Sequence, residues 1–305
     1  MIKTVFVIAG PTAAGKSKFS LDLAKKLNGI IINSDSMQVY KNLSILTARP
    51  TTEEMNNVEH FLYGYVDGGK RYNVEKWCKD ASKVIEESFE KNTTPILVGG
   101  TGLYINTLIN GIINIPSIPE EIKIESEKIL TKFGKDFLIN QIKNIDPDSL
   151  NEININDNVR LRRIWEVFET TGKKFSEWKL NENKSFIKNY NFKLILFLPD
   201  RKKNYEIVNS RFIKMINRGA IEEVKNLLGE NLNESLPVMR AHGVPEIKKY
   251  LENETTLEEC IVKGQQVTRN YVKRQHTWWN SSKLEIFHKF DKFPDEIDIN
   301  AVKFE

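Results

Sequence analysis

The chain has 305 residues, with 45 basic and 41 acidic side chains and a formal charge of +4 at pH 7. That length allows about two domains and a core that needs no staples, and the nearly balanced charge excludes an acidic tail protein while leaving nucleic acid or phosphorylated substrates open without requiring them. The two cysteines, Cys78 and Cys260, lie far apart with no CxxC or CxxH neighbour, which argues against a disulfide scaffold or a zinc site and fits a reducing compartment.

Apolar runs such as Val5–Ala9 and Leu194–Leu198 are far shorter than the ~20 residues that span a bilayer. The N-terminus runs directly into a motif rather than a cleavage site. A soluble, cytoplasmic protein is expected.

Thr4 to Gly10, TVFVIAG, is a continuous apolar run, as expected of a strand covered on both faces in a parallel sheet. In the following KFSLDLAKKL, Phe19, Leu23 and Leu27 recur every fourth residue, which predicts an amphipathic helix, with Gly29 placed to end it. A second buried run, Ile30 to Ile32, leads into NSDS, and a third, Ile96 to Val98, leads into GGTG. This rhythm predicts an α/β fold with a parallel sheet flanked by helices, in which ligands gather at the carboxyl ends of the strands.

After Pro119 about seventy residues rich in Glu, Lys, Ile and Asn have helical spacing, and no strand is evident before Lys193–Asp200, KLILFLPD. The expected organisation is a first core part over 1–117, an inserted all-helical domain over 118–190, and a second core part over 191–305 that is mostly helical with a weak tail after Lys283.

Gly10-Pro11-Thr12-Ala13-Ala14-Gly15-Lys16-Ser17 matches GxxxxGK[ST] between a buried strand and a helix, the context a phosphate loop requires. Gly10 and Gly15 let the backbone curl so that N–H groups converge on an anion, Lys16 and the helix N-terminus neutralise its charge, and Ser17 can place its hydroxyl on Mg²⁺. A hydrolase would carry an acid at the end of a buried strand, but Ile96–Val98 ends in Gly99, Gly100 and Thr101. Asp200 reads as a turn residue, while Asp35 could be a turn former, a metal ligand or a general base. Thr101 sits on a glycine turn where it could cap a helix or contact a ligand.

Val159 to Arg163 holds three arginines in four residues, and Arg201 to Arg218 holds six basic residues against one acid. With Arg269, Lys273 and Arg274 they form basic faces that suit a polyanion as well as solvent.

In order, GPTAAGKS, DSMQVYK, LVGGTGLY, NDNVRLRRIWEVFETTGK, SRFIKMINRG, MRAHGV and TRNYVKRQHTW resemble the tRNA dimethylallyltransferase family over about residues 3 to 280. The resemblance implies transfer of a dimethylallyl group from dimethylallyl diphosphate to N6 of the adenosine 3′ of the anticodon, with Mg²⁺ and release of diphosphate. It implies a general base at Asp35, diphosphate or adenosine contact at Thr101, and Arg211 close to the diphosphate held by the phosphate loop with Lys16. Contacts with the extruded base and its neighbours are implied for Asp35, Ser36, Met37 and Gln38. Anticodon-arm contacts are implied for Val159, Arg160, Leu161, Arg162 and Arg163, and for Arg240, Ala241, His242, Gly243, Val244 and Pro245.

Two departures stand out: Lys123 occupies a position where many relatives have arginine, and MRAHGV replaces a common Ile-Gly-Tyr version. The expected partners are the tRNA anticodon stem-loop and dimethylallyl diphosphate, with no membrane, and the expected state is a monomer. Prenyl transfer to a free adenine nucleotide and a small-molecule kinase using ATP are the alternatives.

Overall fold

The computed structural model describes residues 3–55 and 57–304. Two compact units account for them, residues 1–109 with 186–305, and residues 110–185.

In the first unit, β1 (Lys3–Ala9), α1 (Lys16–Leu27), β2 (Gly29–Asn33), α2 (Thr52–Met55), β3 (His60–Phe61), α3 (Val74–Glu90), β4 (Thr94–Gly99) and α4 (Gly102–Asn110) follow in turn. The second unit contains β5 (Ile112–Ile113), α5 (Glu120–Ile145), α6 (Pro147–Asn151), α7 (Asn158–Thr171), α8 (Phe175–Trp178) and β6 (Asn183–Lys184). The chain then returns through β7 (Tyr190–Phe197), α9 (Arg201–Asn217), α10 (Ala220–Gly229), α11 (Val244–Leu251), α12 (Leu257–Ser281) and β8 (His288–Phe290).

A six-stranded sheet in the order β3-β2-β4-β1-β7-β8 forms the centre of the first unit, and all its pairings are parallel. Because successive strand residues face opposite sides, Val5, Val7, Ala9, Ile30, Ile32, Leu97, Leu194 and Leu196 enter one core, and Phe6, Ile8, Ile31, Ile96, Val98, Ile195 and Phe197 enter the other. Continuous apolar runs are the consequence of covering both faces.

Two local expectations change. Asn28, in the left-handed conformation with its N–H bonded to Ala24 O, ends α1, while Gly29 begins β2. A Cβ at Gly29 would lie 2.8 Å from Ile96 Cδ1, so the glycine serves close strand approach. The stretch after Lys283 adds β8 to the sheet, and Pro294 beyond it is buried against the α1 side, where Asp295 pairs with Lys18 at 2.5 Å.

The second unit begins at Asn110 and ends at Ser185 rather than spanning 118–190, and it is not wholly helical. The antiparallel pair Ile112↔Lys184 and Ile113↔Asn183 joins its two ends. Two-residue strands carry too little alternation to show as a pattern in sequence. Its core is Leu138 and Ile142 of α5 against Leu161, Ile164 and Trp165 of α7, with Trp165 Nε1 donating to Gln141 Oε1 at 2.9 Å.

Candidate active site

The central strands β1, β4 and β2 are neighbours in register, with Ala9 opposite Gly99 and Val98 opposite Asn33. Their carboxyl-end turns are therefore adjacent, and these turns hold Lys16, Thr101 and Asp35. The first turn curls through Gly10 (φ 142°), Ala13 (φ 59°) and Gly15 (φ 81°). A Cβ at Gly10 would lie 2.2 Å from the Phe197 carbonyl oxygen, so only glycine passes there. The loop ends at the N-terminus of α1, whose first turn carries no acid to compete with an anion.

Lys16 Nζ donates to Pro11 O at 2.6 Å. Burial of its ammonium end pushes its pKa down to about 8, against the Asp35 charge and with help from Arg211. The Arg211 guanidinium is also lowered by burial, again opposed by Asp35. Both cations feel the Asp35 carboxylate, and Arg211 feels Glu54 as well, so the site sets buried positive charge beside the anion loop.

In the second turn Asp35 Oδ1 accepts from Met37 N at 2.9 Å and Gln38 N at 3.4 Å. This is the turn-forming role, and the same carboxylate also lines the cleft. Asn33, fully buried, holds the turn from beneath: its Oδ1 accepts from Asp35 N at 2.8 Å, while its Nδ2 donates to Asp35 O and Leu62 O, each at 3.0 Å. Trp77 Nε1 donates to Asn33 O at 2.8 Å. Ser36 N donates to Thr101 Oγ1 at 3.0 Å, which ties the second turn to the third. Gln38 Nε2 donates to Thr47 O and Ala48 O, so its amide hydrogens are engaged by the loop beside it.

These turns border a solvent-open cleft in the first unit. Thr12, Asp35, Arg211, His242 and Tyr271 supply its polar lining, and Met37, Leu46, Val208, Phe212 and Met215 its apolar lining. Leu46 is held by α10: Glu223 accepts from Ser44 N, Ile45 N and Leu46 N at 2.6–2.9 Å and from Ser44 Oγ at 3.0 Å. Burial and the Asp35 charge both raise the Tyr271 hydroxyl, which stays protonated.

Arg240, Ala241, His242 and Pro245 border a neighbouring pocket with Arg274. Burial and Arg274 push the His242 imidazole down, opposed by Asp35. The neutral ring lies 3.1 Å from the Arg274 guanidinium and packs on Tyr271 at 4.5 Å between ring centroids. Val244, 1% exposed, packs in the core, and Gly243 (φ 98°) opens α11 against Leu46.

The expected surface of α7 divides. Val159 is 78% exposed, and Arg160 is largely exposed beside Asp157. Leu161 is 0% exposed and belongs to the α5–α7 core, because its position on the helix faces α5, so its side chain is closed to a ligand. Arg162 also turns inward, donating from Nε to Ser126 Oγ at 2.9 Å and from Nη2 to Lys123 O at 3.1 Å, with Glu166 and Glu127 as acidic neighbours. Burial lowers Arg163. Lys123 pairs with Glu120 at 3.1 Å. Asp200, the other acid at a strand end, caps α9 by accepting from Lys203 N at 2.9 Å.

Asn33, Phe212 and Glu223 are not singled out as site-forming residues in sequence, and Tyr271 shows there only as an aromatic beside the basic face of Arg269, Lys273 and Arg274. A polar residue ending the apolar run GIIIN was a readable signal for Asn33. The others come from helices hundreds of positions from the phosphate loop, and no local spacing announces them.

Fold and site together define a P-loop α/β protein whose anion loop borders a cleft lined by both polar and apolar side chains. The sequence model described as IPP transferase matches residues 38–282. The chain is 42% identical over 283 residues to the tRNA dimethylallyltransferase of Wolbachia pipientis wMel, covering 92% of this chain and 93% of that one. It is 40% identical over 280 residues to the enzyme of that name from Ehrlichia canis (strain Jake), covering 92% of each.

Among solved structures, the full-length tRNA isopentenylpyrophosphate transferase of Bacillus halodurans matches with a TM-score of 0.70 at 33% identity, over 98% of this chain and 92% of that one. A eukaryotic dimethylallyltransferase acting on tRNA matches with a TM-score of 0.76 at 32% identity, over 90% of this chain and 69% of that one. The chain belongs to the IPP transferase family.

Proposed function

We propose that the protein transfers the dimethylallyl group of dimethylallyl diphosphate to N6 of the adenosine adjacent, on the 3′ side, to the anticodon of tRNA, and releases diphosphate. The observation that carries this reading is the mixed lining of the cleft beside the phosphate loop. An anion loop with Lys16 and Arg211 suits a diphosphate, Leu46, Phe212 and Met215 suit a short branched hydrocarbon, and Asp35 shares the same lining.

In the transfer, the adenine N6 lone pair attacks C1 of the dimethylallyl group as the C1–O bond breaks and its electron pair leaves with the diphosphate. Charge developing on the leaving group meets the loop amides, Lys16 and Arg211, which are already oriented. Asp35, its orientation fixed by Met37 N and Gln38 N, orients the amine and accepts its proton. The base must leave the stacked anticodon loop to reach this cleft. Tyr271 and His242 line the same cleft, and Thr101 lies within reach of Tyr271.

Mg²⁺ is the cation that the donor set fits. Among the described residues no group of three His, Cys, Asp or Glu could hold a metal, while Ser17 follows the phosphate-loop lysine on an exposed helix end. One hydroxyl with phosphate oxygens and water suits Mg²⁺. When bound, the ion neutralises diphosphate charge.

The exposed Arg160 and the part-buried Arg163 of α7, with Arg240, His242 and Pro245, are proposed to meet the anticodon arm, and Lys123 to add a weaker phosphate contact. No helix among the described residues is long and apolar enough to cross a membrane, and we infer a cytoplasmic monomer meeting tRNA there.

Mass spectrometry of tRNA nucleosides after incubation with dimethylallyl diphosphate and Mg²⁺ tests the proposal. An adenosine gaining one dimethylallyl group at the anticodon-adjacent position is expected. Prenylation of free adenine nucleotide with tRNA untouched, or consumption of ATP instead, overturns it.

A further inference from the structure

The run Arg274-Gln275-His276-Thr277-Trp278 lies on α12, and its glutamine takes no part in the transfer steps above. Gln275 is 5% exposed. Its Oε1 accepts from Thr12 N of the phosphate loop at 2.9 Å, and its Nε2 donates to Gly100 O of the third turn at 3.1 Å. On the same helix face, Tyr271 reaches the Thr101 side chain, and Trp278 lies so close to Gly102 that a Cβ there would sit 2.2 Å from its ring. Positions 271, 275 and 278 follow the four-then-three spacing that aligns side chains along one helix stripe.

The two glycines flanking Thr101 therefore have a tertiary cause. A Cβ at Gly100 would lie 2.3 Å from Gln275 Nε2 and 3.0 Å from Gly10 O. Glycine there lets one amide enter between the first and third turns. An amide presents an acceptor and a donor on one planar group, and this one meets an N–H with its oxygen and a carbonyl with its nitrogen. A carboxylate of the same shape satisfies only the first contact, and a thioether of similar length satisfies neither.

We infer that Gln275 is a positioning residue that fixes the separation of the loop holding the leaving diphosphate from the turn carrying Thr101. The inference rests on the diphosphate reading of that loop. A sub-ångström change in that separation moves the leaving group relative to the attacking amine, and reaction rates are steep in such misplacement.

The test uses the full chain with Gln275→Glu and Gln275→Met, and with Gly100→Ala, which displaces the same amide from the other side. Calorimetry with inorganic diphosphate and Mg²⁺ reads the loop alone, single-turnover transfer reads the chemical step, and filter binding reads tRNA affinity. Diphosphate affinity is expected to fall about tenfold in all three variants, the order expected when a buried donor or acceptor loses its partner. The transfer rate at saturating substrate is expected to fall further, and tRNA affinity to stay at the wild-type value.

Wild-type diphosphate affinity and rate in Gln275→Glu would show that amide polarity is immaterial and overturn the inference. A parallel loss of tRNA and diphosphate affinity in every soluble variant would also overturn it, because it would reduce Gln275 to packing of α12. Should one substitution prevent folding, the remaining two decide. A wild-type protein that binds diphosphate yet prenylates no tRNA defeats the proposed function and leaves the calorimetric test of Gln275 intact.

Discussion

The phosphate loop and α7 both read as anion-binding segments in sequence, the first by glycine spacing and one lysine, the second by three arginines, and the fold treats them in opposite ways. In the loop the backbone itself forms the anion site, so the spacing of Gly10, Gly15 and Lys16 sets the geometry wherever the side chains around it come from. On α7 the same kind of signal splits residue by residue: Arg160 faces solvent, while Arg162 turns to Ser126, Lys123 O and Glu166 inside its own unit. Function built on backbone conformation travels with a local motif. Function built on the direction of a side chain depends on the neighbouring helix.

The largest expected effect tests the acid of the site rather than its cations. Asp35→Asn keeps shape and a hydrogen-bond acceptor but removes basicity, and single-turnover transfer should slow by about 10²–10⁴-fold with tRNA affinity little changed. An unchanged chemical step would leave Asp35 as the former of its own turn, and loss of Mg²⁺-dependent diphosphate binding would make it a metal ligand.

Lys16→Ala removes the cation that meets the leaving group, and turnover should fall at least about a hundredfold while tRNA still binds. Unchanged turnover at saturating substrate would refute the leaving-group role.

The α7 side of the contrast has a prediction in stability. Arg162→Ala strips one hydrogen bond from Ser126 Oγ and one from Lys123 O, and leaves the 8%-exposed Glu166 with one cationic neighbour fewer. Its partial exposure limits the cost to about 1–3 kcal/mol of unfolding free energy, read by urea denaturation. Arg160→Ala should leave that midpoint in place and instead reduce the slope of log K for tRNA against log salt by about one unit or less. Equal behaviour of the two variants in both assays would erase the distinction between them.

The smallest effect is in pH. Lys16 titrates at about 8 in the folded chain against an ordinary 10.5, so between those values the unfolded chain holds more protons. Its contribution to stability therefore rises from pH 8 to 10.5, is complete above that, and is lost as pH falls through 8. Diphosphate affinity moves the other way, weakening as pH rises through 8, because binding favours the ammonium. Calorimetry across pH 7–10 checks the sign.

Sequence alone specifies the four longest strands of the sheet, the phosphate loop and the presence of an inserted helical unit, but not the short edge strands β3 and β8. Buried parallel strands must be continuously apolar on both faces, and the loop is written in the residues that make its backbone conformation. Helical periodicity between Pro119 and Lys193 likewise needs only neighbours along the chain. The position of Asp35 at a strand end is legible too, as is the polar Asn33 that ends the apolar run and holds the turn, but Glu223, which holds the Leu46 loop, is not.

Tertiary structure alone decided which faces of α7, α9 and α12 turn inward. It buried Leu161 and Val244, committed the Gln38 and Arg162 donors to protein acceptors, and brought Gln275 across 263 positions to Thr12. A helical stripe shows which residues share a face, but only the packed neighbour determines whether that face meets solvent, a core or a ligand, since burial and hydrogen-bond satisfaction are properties of both partners.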